Sequence, residues 1–253
     1  MENLSILDEL IGMSRALGLP ERDYVILGEG NTSAKAGDAT YWIKASGLQL
    51  HQIEPAGFVE VNFSPVLALL DAADLNDAEV NRRLIAAKID PSSPLRPSIE
   101  ATLHAVIYDL CGASFIGHTH PTAVNAVLCA QDCQAVLAGR LFPDHIVFCG
   151  AVPAFVPYVD PGIPLARALK GVLQRHLEEH GEPPKTIFLQ NHGLIALGAT
   201  AGEVESITAM AVKSCRILLG TASFGGPRFL TGENVARIYT RPDEHYRRKQ
   251  AGF

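Results

Sequence analysis

The sequence predicts one mixed α/β domain. Three observations carry that expectation: amphipathic helical stretches alternate with short apolar runs, no linker or shift of composition divides residues 1–253, and 253 residues with 47% apolar and 19% charged content suffice for one large core. No internal repeat or low-complexity segment interrupts the pattern.

Residues 4–17 place Leu4, Leu7, Ile11 and Leu17 near one helical face, and Gly18 and Pro20 stop that helix. Gly28-Glu29-Gly30-Asn31-Thr32-Ser33 follows, then a hairpin through Gly37-Asp38 into Thr40-Tyr41-Trp42-Ile43. The glycine loop resembles part of GxGxxG, but Ser33 stands sixth and no long helix follows, so a Rossmann site is excluded. The loop is either a plain turn or one whose backbone N–H groups, with Asn31 and Ser33, approach an anion.

Residues 59–63 alternate as a strand, and Asn76-Asp77-Ala78-Glu79 has the form of a capping box for a helix reaching about residue 88. A proline-serine loop over residues 91–97 leads to Ser98, read as the N-cap of a helix over 99–110. Residues 115–121 form a strand ending in His118-Thr119-His120-Pro121, residues 122–129 a helix, and 151–164 extended chain and loop. A helix over 165–180 stops at Gly181 and Pro183. Residues 186–189 are a buried strand that breaks at Gln190-Asn191-His192-Gly193, and 194–197 resume it. Thr200…Glu203 caps a helix to about residue 219, and a last helical segment follows Gly232.

The formal charge of −6 argues against general nucleic-acid binding, which needs a basic face. The first residues lack a basic, apolar leader, and no apolar run approaches the roughly eighteen residues of a membrane span, so no membrane partner and a cytoplasmic location are expected. Five cysteines form no CxxC pair and read as core thiols of a reducing compartment.

Strand side chains alternate, so His118 and His120 point the same way, as two ligands of one ion must. His192, at a strand break, is by itself either a ligand or a satisfied polar residue; with the first two it completes three imidazoles that leave open positions on a divalent ion. Zinc is the expected ion, although imidazole also suits iron, nickel and copper. Glu100 sits in a first helical turn, where acidic residues are common for the helix dipole alone, yet His104 lies one turn on along the same face. His104 is a hydrogen-bond partner, a fourth ligand or a core histidine. His176 and His180, among Glu178, Glu179 and Glu182, read as a solvated face.

Taken in order, Gly30-Asn31-Thr32-Ser33, Lys44-Ala45-Ser46-Gly47, Ser98-Ile99-Glu100 with His104, His118-Thr119-His120-Pro121 and Asn191-His192-Gly193 resemble the class II aldolase/adducin family over nearly the whole chain. Within it, Gly139-Arg140-Leu141-Phe142-Pro143-Asp144, the stretch from Val156 through Tyr158 to Gly162, and Arg241-Pro242-Asp243-Glu244 are most similar to the aldolase portion of bifunctional rhamnulose-1-phosphate aldolase/alcohol dehydrogenases, without a dehydrogenase half. The resemblance implies a three-layer α/β/α sandwich around a largely antiparallel sheet, a homotetramer with sites at subunit interfaces, Zn2+ on His118, His120 and His192, and Glu100 as acid/base. It places the substrate phosphate at Asn31, Ser33, Ser46, Gly47 and Ser98, with Lys44 in support.

The implied reaction is cleavage of a rhamnulose- or fuculose-type ketose 1-phosphate to dihydroxyacetone phosphate and lactaldehyde through a metal-stabilised enediolate. The same residues would serve a sugar-acid decarboxylase, a pentulose-phosphate 4-epimerase or a dehydratase, and an adducin-head-like module would keep the fold without chemistry. Two departures stand out. Ile99 replaces a second serine before the glutamate, and residues 142–148 lack the tyrosine that many family aldolases take from the neighbouring subunit as acid toward the leaving aldehyde, for which Tyr158 and Tyr246 are the substitutes.

Overall fold

The computed structural model describes residues 5–73 and 75–243; Tyr246 and the Arg247-Arg248-Lys249 stretch lie outside them. Among the described residues seven strands form one sheet: β1 (Asn31–Lys35), β2 (Thr40–Lys44), β3 (Phe58–Asn62), β4 (Phe115–Thr119), β5 (Ala154–Val156), β6 (Thr186–Leu189) and β7 (Gly193–Gly198). Their order is β3-β2-β1-β4-β7-β6-β5, so β4 is the middle strand. All pairings are antiparallel except β5 with β6.

Side-chain alternation along these strands builds a core on each face. On one side Ile43, Val61, Ile116, Ile187, Ile195 and Leu197 meet α3 (Asp77–Ala86), α4 (Ala101–Cys111) and α8 (Ile163–His180). On the other Ala34, Phe115, Phe188, Leu194 and Ala196 meet α1 (Ile6–Leu17), α5 (Thr122–Leu128) and α9 (Ala201–Thr221). Helices on both faces make the three layers that were expected.

Local chemistry sets the helix ends. Ser5, Asn76 and Thr200 each accept the N–H three residues on, from Asp8, Glu79 and Glu203. Gly181, left-handed at φ 71°, closes α8 with its N–H on the Leu177 carbonyl. The 21-residue α9 is long and apolar enough to cross a membrane, which the sequence reading did not credit to any segment. Here it is a core helix burying Val204, Ile207, Ala211, Val212, Cys215 and Leu218.

Other expectations are corrected. α4 starts at Ala101, with Glu100 rather than Ser98 at the capping position. The short helices α2 (Phe63–Leu67), α6 (Cys133–Ala138) and α7 (Pro143–Cys149) went unforeseen, whereas β5 falls in the stretch read as extended chain and loop. His176 is not on a solvated face: it is buried, its ring 4.5 Å from that of His180.

Candidate active site

The site forms where the middle strand ends. β4 runs beside β7 with His118 opposite Ile195 and Thr119 opposite Leu194. The turn from β6 into β7 therefore lies next to the last residues of β4, and it carries His192. Asn191 bends that turn at φ 53°. Gly193 lets it approach, because a Cβ there would lie 2.5 Å from the Thr119 carbonyl oxygen and 2.8 Å from His120 Cδ2. On the other flank β1 pairs Asn31 with His118, and Gly30 (φ 65°) has its missing Cβ 2.6 Å from the His118 carbonyl oxygen.

The imidazoles converge as the strand alternation predicts. His120 Nε2 lies 2.9 Å and His192 Nε2 3.3 Å from His118 Nε2, and one ligand atom from each ring falls within 4.8 Å of the others. His118 Nδ1 is 3.1 Å from the Leu194 carbonyl, which can only accept, so Nδ1 carries the proton and the Nε2 lone pair faces its neighbours. That lone pair and the two ring nitrogens facing it make a donor set open to a cation. Zinc–nitrogen bonds of about 2.0–2.1 Å in a tetrahedral set separate ligand nitrogens by roughly 3.3 Å, so this donor set fits a divalent ion.

Glu100 reaches the same point from the start of α4. Its Oε2 is 3.5 Å from His118 Nε2 and its Oε1 3.3 Å from His192 Nε2. Burial alone would raise this carboxyl, but the histidines and the Asn31 amide outweigh it and hold Glu100 well below the usual carboxylate range. Burial lowers His104 to about 4, His118 to about 4 and His120 to about 3, so all three are neutral donors or acceptors at pH 7.

Behind Glu100 lies a buried polar chain. Asn31 Nδ2 donates to Glu100 Oε2 at 2.5 Å, Asn31 Oδ1 is 2.5 Å from His104 Nε2, and His104 Nδ1 is 2.6 Å from Ser33 Oγ. Tyr108, which the sequence reading did not single out, closes the chain with its hydroxyl 2.6 Å from Ser33 Oγ. Its spacing one turn beyond His104 was the available signal. Ser33 is thus corrected: fully buried, its hydroxyl is committed to His104 and Tyr108 and does not face a substrate.

The remaining expected residues sit on a neighbouring rim. Ser46 and Gly47 are exposed at the bend after β2. Ser98 is buried beside them; its N–H faces the Lys44 carbonyl at 3.3 Å and its Oγ accepts the Glu100 N–H at 3.3 Å. Lys44 is 2% exposed, and its ammonium donates to the Gly28 carbonyl at 3.3 Å. Burial lowers it to about 8 against the opposing pull of Glu100. Tyr158 is exposed at the surface, its hydroxyl donating to Asp160 at 3.1 Å.

Fold and site together define a three-layer α/β protein with three imidazoles and one carboxylate gathered at the end of its middle strand. The chain belongs to the class II aldolase and adducin family: the model of the Class II Aldolase and Adducin N-terminal domain matches residues 8–219. A methylthioribulose-1-phosphate dehydratase of Geobacillus kaustophilus (strain HTA426) is 28% identical over 195 residues, 74% of this chain and 79% of that protein. The N-terminal class II aldolase domain of a conserved Thermoplasma acidophilum protein superposes with a TM-score of 0.69 at 24% identity, covering 87% of this chain and 96% of that one. An L-fuculose 1-phosphate aldolase of Glaciozyma antarctica PI12 does so with a TM-score of 0.65 at 16% identity, covering 92% and 80%. These structures share the fold. The narrower resemblance to the rhamnulose-1-phosphate fusion enzymes is not what the curated relatives carry; they are named as dehydratases.

Proposed function

We propose that the protein is a divalent-metal-dependent lyase that dehydrates a ketose 1-phosphate. The observation that carries this is the Glu100 carboxylate, 3.3–3.5 Å from two of three convergent imidazoles and buried together with His118. His118, His120 and His192 would hold the ion. When bound, it would polarise the C2 carbonyl oxygen and the adjacent C3 hydroxyl oxygen of the substrate and so acidify C3.

Glu100 then takes the proton from C3, the carbon next to the C2 carbonyl, and hydroxide departs from C4 with a proton as water. The C3–C4 enol so formed gives up its C3 hydroxyl proton, gains one at C4 and becomes a 2,3-diketone. Ser46, Gly47 and Ser98 line the rim where the phosphate would lie, and the Lys44 ammonium, buried with a single carbonyl partner, suits an anion there. Asn31, whose amide is committed at both ends, serves Glu100.

Retro-aldol cleavage to dihydroxyacetone phosphate and lactaldehyde is the second reading. One carboxylate at the same carbon would deliver a proton after the C–C bond breaks, and the five family motifs serve both reactions. Dehydration is preferred because the relatives similar in sequence carry that name.

The test is to incubate zinc-, manganese- or cobalt-loaded protein with 5-methylthioribulose, rhamnulose and fuculose 1-phosphates. Trapping a diketone with o-phenylenediamine is the expected result. Release of triose phosphate would replace dehydration by aldol cleavage, and carbon dioxide from a sugar acid would indicate the decarboxylase. No conversion and under a tenth of an equivalent of bound metal would favour an adducin-head-like module. The homotetramer is likewise proposed from the family resemblance and is checked by light scattering.

A further inference from the structure

The chain from Tyr108 to Glu100 has only one consistent polarity. A carboxylate only accepts, so Asn31 must present its Nδ2–H to Glu100 Oε2, as it does at 2.5 Å. That leaves Asn31 Oδ1 facing His104, so His104 Nε2 must carry the proton across the 2.5 Å contact. A neutral imidazole then has a bare Nδ1, which accepts the Ser33 hydroxyl at 2.6 Å. Ser33 Oγ, having donated, accepts from Tyr108 at 2.6 Å. Every member is buried, and each polar atom along the chain has its partner within it.

We propose that His104, set by Ser33 and Tyr108, is a positioning residue that acts through Asn31: its Nε2–H anchors Asn31 Oδ1 and so fixes where the amide presents Nδ2–H to Glu100. Oε2 is thereby held and Oε1, on the His192 side, is left as the atom that exchanges a proton with substrate. Without His104 the carboxylate still calls for the Nδ2 end, but Asn31 Oδ1 loses the donor that anchors it, and the amide is free to swing away from Oε2. Tyr108 and Ser33 touch neither substrate nor Glu100; they select the His104 tautomer. The catalytic part of this proposal rests on the lyase reading, whereas the tautomer does not.

Nitrogen-15 NMR of the histidines in the full chain separates the two. The expected spectrum shows His104 protonated at Nε2 and bare at Nδ1, with both Tyr108→Phe and Ser33→Ala adding the other tautomer. Kinetics on whichever sugar phosphate proves active follow. His104→Leu should lower kcat about 10–100-fold with KM and bound metal unchanged, and His104→Gln, whose amide can still donate to Asn31 and accept from Ser33, should restore most of it. An Nδ1–H tautomer would overturn the proposal, and so would equal kcat in the Leu and Gln variants. If the Leu variant does not fold, Tyr108→Phe carries the kinetic test, and an unchanged kcat with an unchanged tautomer refutes it. The expected tautomer in a protein inactive on every sugar phosphate would sink the lyase reading and leave the chain's polarity standing.

Discussion

Replacing Gly193 by alanine tests whether the turn carrying His192 is pressed against β4. The added Cβ would stand 2.5 Å from the Thr119 carbonyl oxygen, 2.8 Å from His120 Cδ2 and 3.2 Å from His118 Cε1. Comfortable contacts begin near 3.5 Å, so the backbone must part by roughly 1 Å or the His120 ring must turn. Overpacking of this kind costs about 1–3 kcal/mol. If the turn recoils, the three nitrogens separate and zinc binding weakens by about 5–100-fold, at about 1.4 kcal/mol per decade. If the turn holds and the sheet strains instead, the metal-free protein melts lower by about 2–4 °C per kcal/mol. Competition with a chelating dye and thermal unfolding of the metal-free protein together catch both outcomes. Gly171→Ala, in the middle of α8 with nothing within 4 Å of its Cβ, is the control and should be neutral or slightly stabilising. Unchanged zinc affinity together with unchanged melting for Gly193→Ala would refute the close approach.

Further outcomes are specific. Glu100→Gln should keep its metal, since the three imidazoles remain, and lose about 10²–10⁴-fold in turnover; full turnover would remove Glu100 from proton transfer. Lys44→Met should stabilise the protein at pH 7, because Lys44 falls from 10.5 to about 8 on burial and the folded state binds fewer protons. Wild-type stability rises between pH 8 and 10.5, so the variant's advantage, at most about 3.4 kcal/mol at 1.36 kcal/mol per pH unit, is full below pH 8 and fades toward pH 10.5. Denaturant melts across that range check it, and a constant difference would refute the burial account. Tyr158→Phe should change turnover by less than about 0.5 kcal/mol, since its hydroxyl is spent on Asp160 at the surface; a hundredfold loss in steady-state assays would place Tyr158 in the chemistry after all.

What could be read from the sequence was whatever local periodicity encodes. His118 and His120 share a face because strands alternate, and Asn76 and Thr200 cap helices because of the residue three places on. His192 was legible as a break between two apolar runs. Pairing across the sheet was not. Ser33 looked like a loop residue near an anion, but β1 lies between β2 and β4, and α4 covers it, so its hydroxyl is sealed against His104 and Tyr108. The role of Asn31 changed for the same reason, since its partners lie 69 and 73 residues away. Residues 133–149 hold two helices of six and seven residues, too short for a helical period to declare itself. Tyr108 was hidden in plain helical spacing, where an aromatic residue reads as core.

The placement of His192 on the β6–β7 turn also bears on how the chain matures. Its nitrogen meets that of His118 across 74 residues of sequence, and only the β4–β7 register brings them together. An unfinished chain offers an ion just the 118/120 pair, while a strand slipped by one residue would turn alternate side chains to the wrong face. An ion at a hundredfold excess over its dissociation constant stabilises the finished state alone by about 2.7 kcal/mol. Metal supply during synthesis would therefore act as a proofreader of strand pairing, drawing the population toward the one register that completes the ligand set.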